Sequence, residues 1–191
     1  RSSDLVASEQ LKAPRLNQYE FVGELALTGA LRGVPGAISS AMEAIKAGRK
    51  IVISNENSPE VGLIGGSDCL IATDLQEVCA FLEGRHTLAN PLPEGEYSDE
   101  TSVDLRDVIG QRQGKRALEI IAAGGHNLLM IGPPGTGKTM LASRLPGLLP
   151  PLSNQEALES AAILSLVDSR HAMKNWRRRP FRAPHHSASL A

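Results

Sequence analysis

The feature that most restricts the possible folds of this chain is the octapeptide Gly132-Pro133-Pro134-Gly135-Thr136-Gly137-Lys138-Thr139. It fills every fixed position of the pattern G-x-x-x-x-G-K-[ST]. Glycines at these places let the backbone take positive φ and turn consecutive N–H groups onto one anion. The lysine adds a point charge for a β- or γ-phosphate, and the threonine hydroxyl is a ligand for Mg²⁺. Such a loop needs a strand before it and a helix that opens at the lysine, whose first turn carries a positive end. The flanks have that character. Residues 127–131 form an apolar run expected to be a strand covered on both faces, and the residues after Lys138 read as a helix disturbed at Pro146. A Gly/Pro turn that fits the pattern by chance is the alternative, and the matching flanks argue against it. The octapeptide with Met140 is therefore the candidate nucleotide site, ATP and Mg²⁺ are the expected ligands, and Thr139 is the expected metal ligand.

Three zones of composition surround this motif. Residues 1–90 alternate short apolar strands, expected at 19–27, 50–54 and 69–73, with helices. One helix is expected over 37–47 with Gly48 as its stop. Another is opened by Asp74, with Glu77 completing a capping box, and closed by Gly84. That order predicts α/β packing. Residues 91–103 are Pro-rich, acidic and poor in apolar side chains, and read as a linker. In residues 104–191 a helix is expected over 111–123, with Ala117, Leu118 and Ile121 on one face and Gly124-Gly125 as its stop. Ser153 and Glu156 form a second capping box, opening a helix that runs to about Leu166.

With 20 basic against 21 acidic residues, net charge says nothing about a nucleic-acid partner, so any such argument rests on local clusters. Aromatics make up only 3%, which points to aliphatic packing and away from a base-stacking platform. No apolar run reaches the length of a membrane span, and the first residues lack a signal-like apolar core, so a cytoplasmic location is expected. Cys69 and Cys79 match no metal or redox spacing and read as reduced core or near-core residues. Lys174, Arg177, Arg178, Arg179 and Arg182, with Trp176 beside them, form the one strong basic cluster. It is either a solvated loop or a phosphate contact, with DNA or at a subunit interface. Adjacent histidines converge poorly on one ion, so His185 and His186 are expected to be structural.

Hydrolysis also needs an acidic residue at the end of a second strand and a group that orients water. No apolar run in the chain ends in Asp-Glu. Asp168 comes nearest, but Ser169 follows it, and the capping box at Ser153 places both Asp168 and Glu159 in or beside a helix. The catalytic acid is therefore unassigned. The chain reads as a piece of a longer protein, expected to bind ATP without turning it over.

Asp107-Val108-Ile109-Gly110-Gln111, the phosphate loop, and Arg178-Arg179-Pro180-Phe181-Arg182-Ala183-Pro184-His185-His186-Ser187 together resemble the magnesium-chelatase-like AAA+ ATPases. The Pro-Phe-Arg-Ala-Pro-His-His string is more specific than the loop, and the resemblance covers nearly the whole chain. It implies that Ile109 and Gly110 contact adenine, although a simple helix lead-in remains the alternative. Residues 23–57 are similar to the proteolytic domain of Lon and of the RadA-like repair ATPases. There the position of the catalytic lysine falls on Ile38, which cannot act as a base, and Lys46 reads as a solvated helix residue. The implied architecture is α/β. The C-terminal half of an inactive Lon-like domain (1–90) is followed by the linker (91–103) and the N-terminal part of an AAA+ core (104–191). The implied whole is a ring hexamer that uses ATP to remodel DNA, by branch migration during natural transformation. A motor that inserts Mg²⁺ into a porphyrin, an ATP-dependent protease and a non-catalytic ATP-binding module are the alternatives.

Overall fold

The computed structural model describes residues 7–9, 11–93 and 103–184. The chain is mixed α/β and divides into two compact units. The first comprises residues 1–97 and 155–176; the second comprises residues 98–154 and 177–191. Residues 155–176, expected to belong with the phosphate loop, thus group with the first unit.

The first unit contains strands β1 (Tyr19–Val22), β2 (Glu24–Leu25), β3 (Leu31–Arg32), β4 (Lys50–Ser54) and β5 (Cys69–Ala72). β4 lies in the middle of a parallel sheet, with Tyr19 opposite Lys50 on one edge and Cys69 opposite Ile51 on the other. Its β-branched run is covered on both faces, as parallel sheets require. Successive side chains alternate faces. Ile51, Ile53 and Cys69 therefore enter one core with Ile38, Ala41 and Ala44 of helix α1 (Ala37–Lys46). Val52 and Ala72 enter another with Val78 and Leu88. Full burial of Ile38, Ile51 or Ile53 stabilises by about 1.5–3 kcal/mol each. Helix α1 ends one residue before its expected limit, and Gly48 takes the left-handed conformation just past its end. Cys69 and Cys79 are free, and burial pushes the Cys69 thiol up to about 11, so it stays protonated in the core. Among the described residues no helix is long and apolar enough to cross a membrane.

Two expectations need correction here. The strand expected over residues 19–27 is two strands, because its partner β4 ends at Ser54. Beyond Gly23 the chain leaves the parallel sheet and pairs Glu24 with Arg32 and Leu25 with Leu31 in a separate antiparallel hairpin. Asp74 does cap α3 (Leu75–Leu82) by accepting the Glu77 N–H at 2.8 Å. The Glu77 carboxylate, however, takes the N–H and hydroxyl of Thr73 rather than closing the box on Asp74. Residues 94–102, most of the expected linker, lie outside the described residues, whereas Leu92 is tied by its N–H to the Ser58 hydroxyl.

Ser54, Glu56 and Asn57 fix the turn that delivers α1. Ser54 donates to the Leu31 carbonyl at 2.8 Å, and Glu56 accepts the Gly33 N–H at 2.7 Å. Asn57 accepts from the Val34 N–H and donates to the Val34 carbonyl, both at 3.0 Å, and also donates to Glu60 in helix α2 (Ser58–Val61). Glu60 is only 3% exposed, and its second carboxylate oxygen has no hydrogen-bond partner. Burial raises its pKa above 4.5, against the hydrogen bond from Asn57, which lowers it. The folded chain thus holds this proton more tightly than the unfolded chain. The contribution of Glu60 to stability is fully present below the ordinary carboxylate pKa and is lost as pH rises through the raised folded value. Replacing Glu60 with Gln should therefore raise the urea midpoint relative to wild type more at pH 7 than at pH 4. A pH-independent difference would show that burying the charge has no cost.

Candidate nucleotide site

The second unit holds helices α4 (Arg112–Gly124), α5 (Lys138–Ala142) and α6 (Leu145–Leu148). Its core joins Leu105, Val108, Leu118, Ile121 and Leu141, with Met130, Leu145 and Leu148 packed against them. α4 begins at Arg112 and ends on Gly125 in the left-handed region, one residue away from its expected limits. The helix expected after the loop is split into α5 and α6, with Pro146 in the first turn of α6, where its missing N–H costs nothing.

In the loop, Gly135 and Gly137 take φ of 81° and 84°, and α5 opens at Lys138. These are the left-handed turns that a glycine supplies without strain. The Lys138 ammonium donates to the carbonyls of Gly132 at 2.8 Å and Pro133 at 2.7 Å and to the Thr136 hydroxyl at 3.3 Å. Thr136 in turn donates to the Pro133 carbonyl at 3.0 Å. All three donors of the lysine thus brace the loop. Gly132, Pro133, Pro134, Gly135, Thr136, Thr139 and Met140 are exposed. Ile109 is 96% exposed beside buried Val108, and Gly110 has φ of 71°. Gln111, to which sequence reasoning gave no role, donates from Nε2 to the Thr136 carbonyl at 3.2 Å. It thereby brings the segment through Ile109 and Gly110 to the phosphate loop.

The expected strand over residues 127–131 is absent. Leu129 and Ile131 are 82% and 87% exposed. A strand exists only by pairing, and the described sheets pair β1, β4 and β5 or β2 and β3 alone.

The remaining candidates are dispersed. Ile38 is fully buried in the first core, and Lys46 is an exposed helix residue paired with Glu43. Asp168 and Glu159 belong to the first unit, Glu159 within helix α7 (Asn154–Ser165) and Asp168 just before helix α8 (Ser169–Lys174). Lys174 and Trp176 also lie in the first unit, while Arg177, Arg178, Arg179 and Arg182 lie in the second. There Arg177 donates from Nε to the Leu152 carbonyl at 3.1 Å, and Arg179 donates to that of Pro150 at 2.8 Å. Among the described residues no group of histidine, cysteine and acid side chains is arranged to hold a metal ion. His185 and His186 lie outside the described residues.

Residues 104–191 match the family model described as magnesium chelatase, subunit ChlI, and residues 5–57 match a second model described as subunit ChlI of Mg-chelatase. The chain belongs to the magnesium-chelatase-like family. It is 71% identical to uncharacterized protein YifB of Escherichia coli (strain K12), over 97% of this chain and 37% of that protein. It is 50% identical to competence protein ComM of Haemophilus influenzae (strain ATCC 51907 / DSM 11121 / KW20 / Rd), over 97% of this chain and 38% of that one. An uncharacterized protein of Mycobacterium tuberculosis (strain ATCC 25618 / H37Rv) is 42% identical, over 97% of this chain and 38% of that one. The chain therefore spans less than two fifths of the length of these curated relatives.

Helices α4 and α5 approach each other closely. A Cβ at Gly114 in α4 would lie 2.8 Å from Cδ1 of buried Leu141 in α5. Alanine in a helix interior is ordinarily better than glycine by about 1 kcal/mol. Here Gly114→Ala should instead lower the melting temperature. Combined with Leu141→Ala, it should cost less than the sum of the two single changes. Additive losses in calorimetry would show that the two side chains do not meet.

Proposed function

We propose that this chain is the nucleotide-binding part of an ATP-driven AAA+ motor, with ATP and Mg²⁺ held at the loop from Gly132 to Thr139. The observation that supports this most is the conformation of Gly135 and Gly137 ahead of a helix that opens on Lys138. That arrangement suits the curl of backbone N–H groups around a phosphate. Lys138 takes the β- and γ-phosphates, Thr139 ligates the Mg²⁺, and Ile109 with Gly110 faces the adenine. Mg²⁺ held there would supply charge neutralisation for the phosphates. Residues 1–90 are the C-terminal half of a Lon-like domain without peptidase activity, a reading supported by Ile38, which stands at the position of the lysine and is a sealed core residue. Lys138→Ala should weaken MgATP binding by roughly 10- to 150-fold, the range for removing a charge-assisted hydrogen bond. Equal affinities in titration calorimetry would remove the site.

For the longer protein we infer a ring, a hexamer, that remodels DNA in the cytoplasm by branch migration, in line with the competence role named for the Haemophilus influenzae relative. Arg177, Arg178, Arg179 and Arg182 are the residues assigned to DNA phosphate. In a chelatase motor a porphyrin would stimulate ATP use instead. Arg177 and Arg179 also hold backbone carbonyls, so charge and architecture must be separated. Changing Arg177 and Arg179 to Lys should keep the salt dependence of branched-DNA binding by the full-length protein while lowering its thermal stability. Changing all four arginines to Gln should flatten the salt slope by about 0.9 for each DNA phosphate that is no longer neutralised. An unchanged slope and affinity in the fourfold variant would exclude this cluster as the DNA-binding surface.

A further inference from the structure

Gln111 has two unusual properties. It precedes α4 with φ of 49°, a left-handed conformation that few residues other than glycine adopt. Its side chain is nevertheless engaged across the sequence, donating to the Thr136 carbonyl at 3.2 Å. The Gln111 Nε2 also lies 3.8 Å from where a Cβ on Gly137 would stand, so the amide is set against the Thr136–Gly137 peptide. A trans peptide is planar, and its C=O and N–H point in opposite directions. Whatever holds the Thr136 carbonyl therefore also aims the Gly137 N–H. Gly137, with φ of 84° and no Cβ, gives that peptide little resistance of its own to flipping.

We propose that Gln111 is a positioning residue that locks the Thr136–Gly137 peptide, so that the Gly137 N–H is directed at a bound phosphate. This rests on the nucleotide reading above and adds to it a determinant outside the loop motif. The division of labour is physical. Lys138 braces the carbonyls of Gly132 and Pro133 at the front of the loop, and Gln111 braces that of Thr136 at the back. When Lys138 leaves its carbonyls for a phosphate, the hold of Gln111 on Thr136 persists. The loop then keeps one fixed amide while the lysine changes partners. The strained backbone at Gln111 is consistent with a residue whose side chain is needed there, since glycine would fit the dihedral at lower cost.

Two variants separate the side chain from the backbone. Gln111→Gly relieves the positive φ and removes the donor. Gln111→Glu keeps size and shape but cannot donate to a carbonyl. Both are compared with wild type for binding of MgATP and of inorganic tripolyphosphate, with thermal melting as the check on folding. The Gly137 amide is followed by ¹⁵N NMR during the tripolyphosphate titration. Both variants should bind ATP and tripolyphosphate about tenfold more weakly, by the same factor for each, as expected when one charge-assisted backbone hydrogen bond is removed. The tripolyphosphate-induced shift of the Gly137 amide should disappear while that of Gly135 remains. A purely structural role would lower the melting temperature without singling out Gly137. Wild-type affinity and a wild-type Gly137 shift in Gln111→Glu would overturn the assignment to Gln111 alone. If wild type itself binds neither ATP nor tripolyphosphate, the nucleotide reading falls, and this assignment falls with it.

Discussion

Backbone polar groups that leave regular structure must find partners, and in this protein charged and amide side chains repeatedly supply them. In the first unit β4 satisfies its backbone on both edges through β1 and β5. Where that pairing ends, Ser54, Glu56 and Asn57 take over and bind Leu31, Gly33 and Val34. In the second unit Lys138 holds Gly132 and Pro133, Gln111 holds Thr136, and Arg177 and Arg179 hold Leu152 and Pro150. Irregular segments become defined in this way without a strand or helix of their own. It also means that a residue chosen for its charge can have an architectural duty, so that removing it tests two things at once.

The sequence was most informative where structure is determined locally. The strand β4, the helix α1 and the Asp74 cap are each decided by neighbours within a few positions, and each is found within a residue of where it was expected. The left-handed turns at Gly135 and Gly137 were legible for the same reason, since glycines encode their own dihedrals. What could not be read depends on partners distant in the chain. The break at Gly23 comes from where β4 stops, some thirty residues later. The apolar run over residues 127–131 had the composition of a strand but finds no strand to pair with among the described residues. Nothing in the sequence around Asn57 announces its partner Val34, 23 residues away. Gln111 reads in sequence as the first residue of a helix, and nothing local announces the Thr136 carbonyl.

Membership of the two units follows packing rather than chain order. Ala161 of α7 and Ala172 of α8 are buried with Ile38, Ala41 and Ile51, so a segment from beyond the phosphate loop helps complete the first core. Small side chains at these positions allow close helix approach. The match to the family model over residues 104–191 therefore spans parts of both units. Sequence families record ancestry along the chain, whereas compact units record which surfaces are buried together, and the two need not share a boundary.

Trp176 is the protein's single tryptophan. It packs against the core built from α1 and β4 and is the last residue assigned to the first unit before the chain enters the second at Arg177. Its indole is thus a built-in optical probe of one core only. A denaturation curve followed by intrinsic emission would trace the solvation of that core. Far-ultraviolet dichroism would average over the helices of both units. Any separation between the two curves would measure directly how far the units depend on each other for their stability.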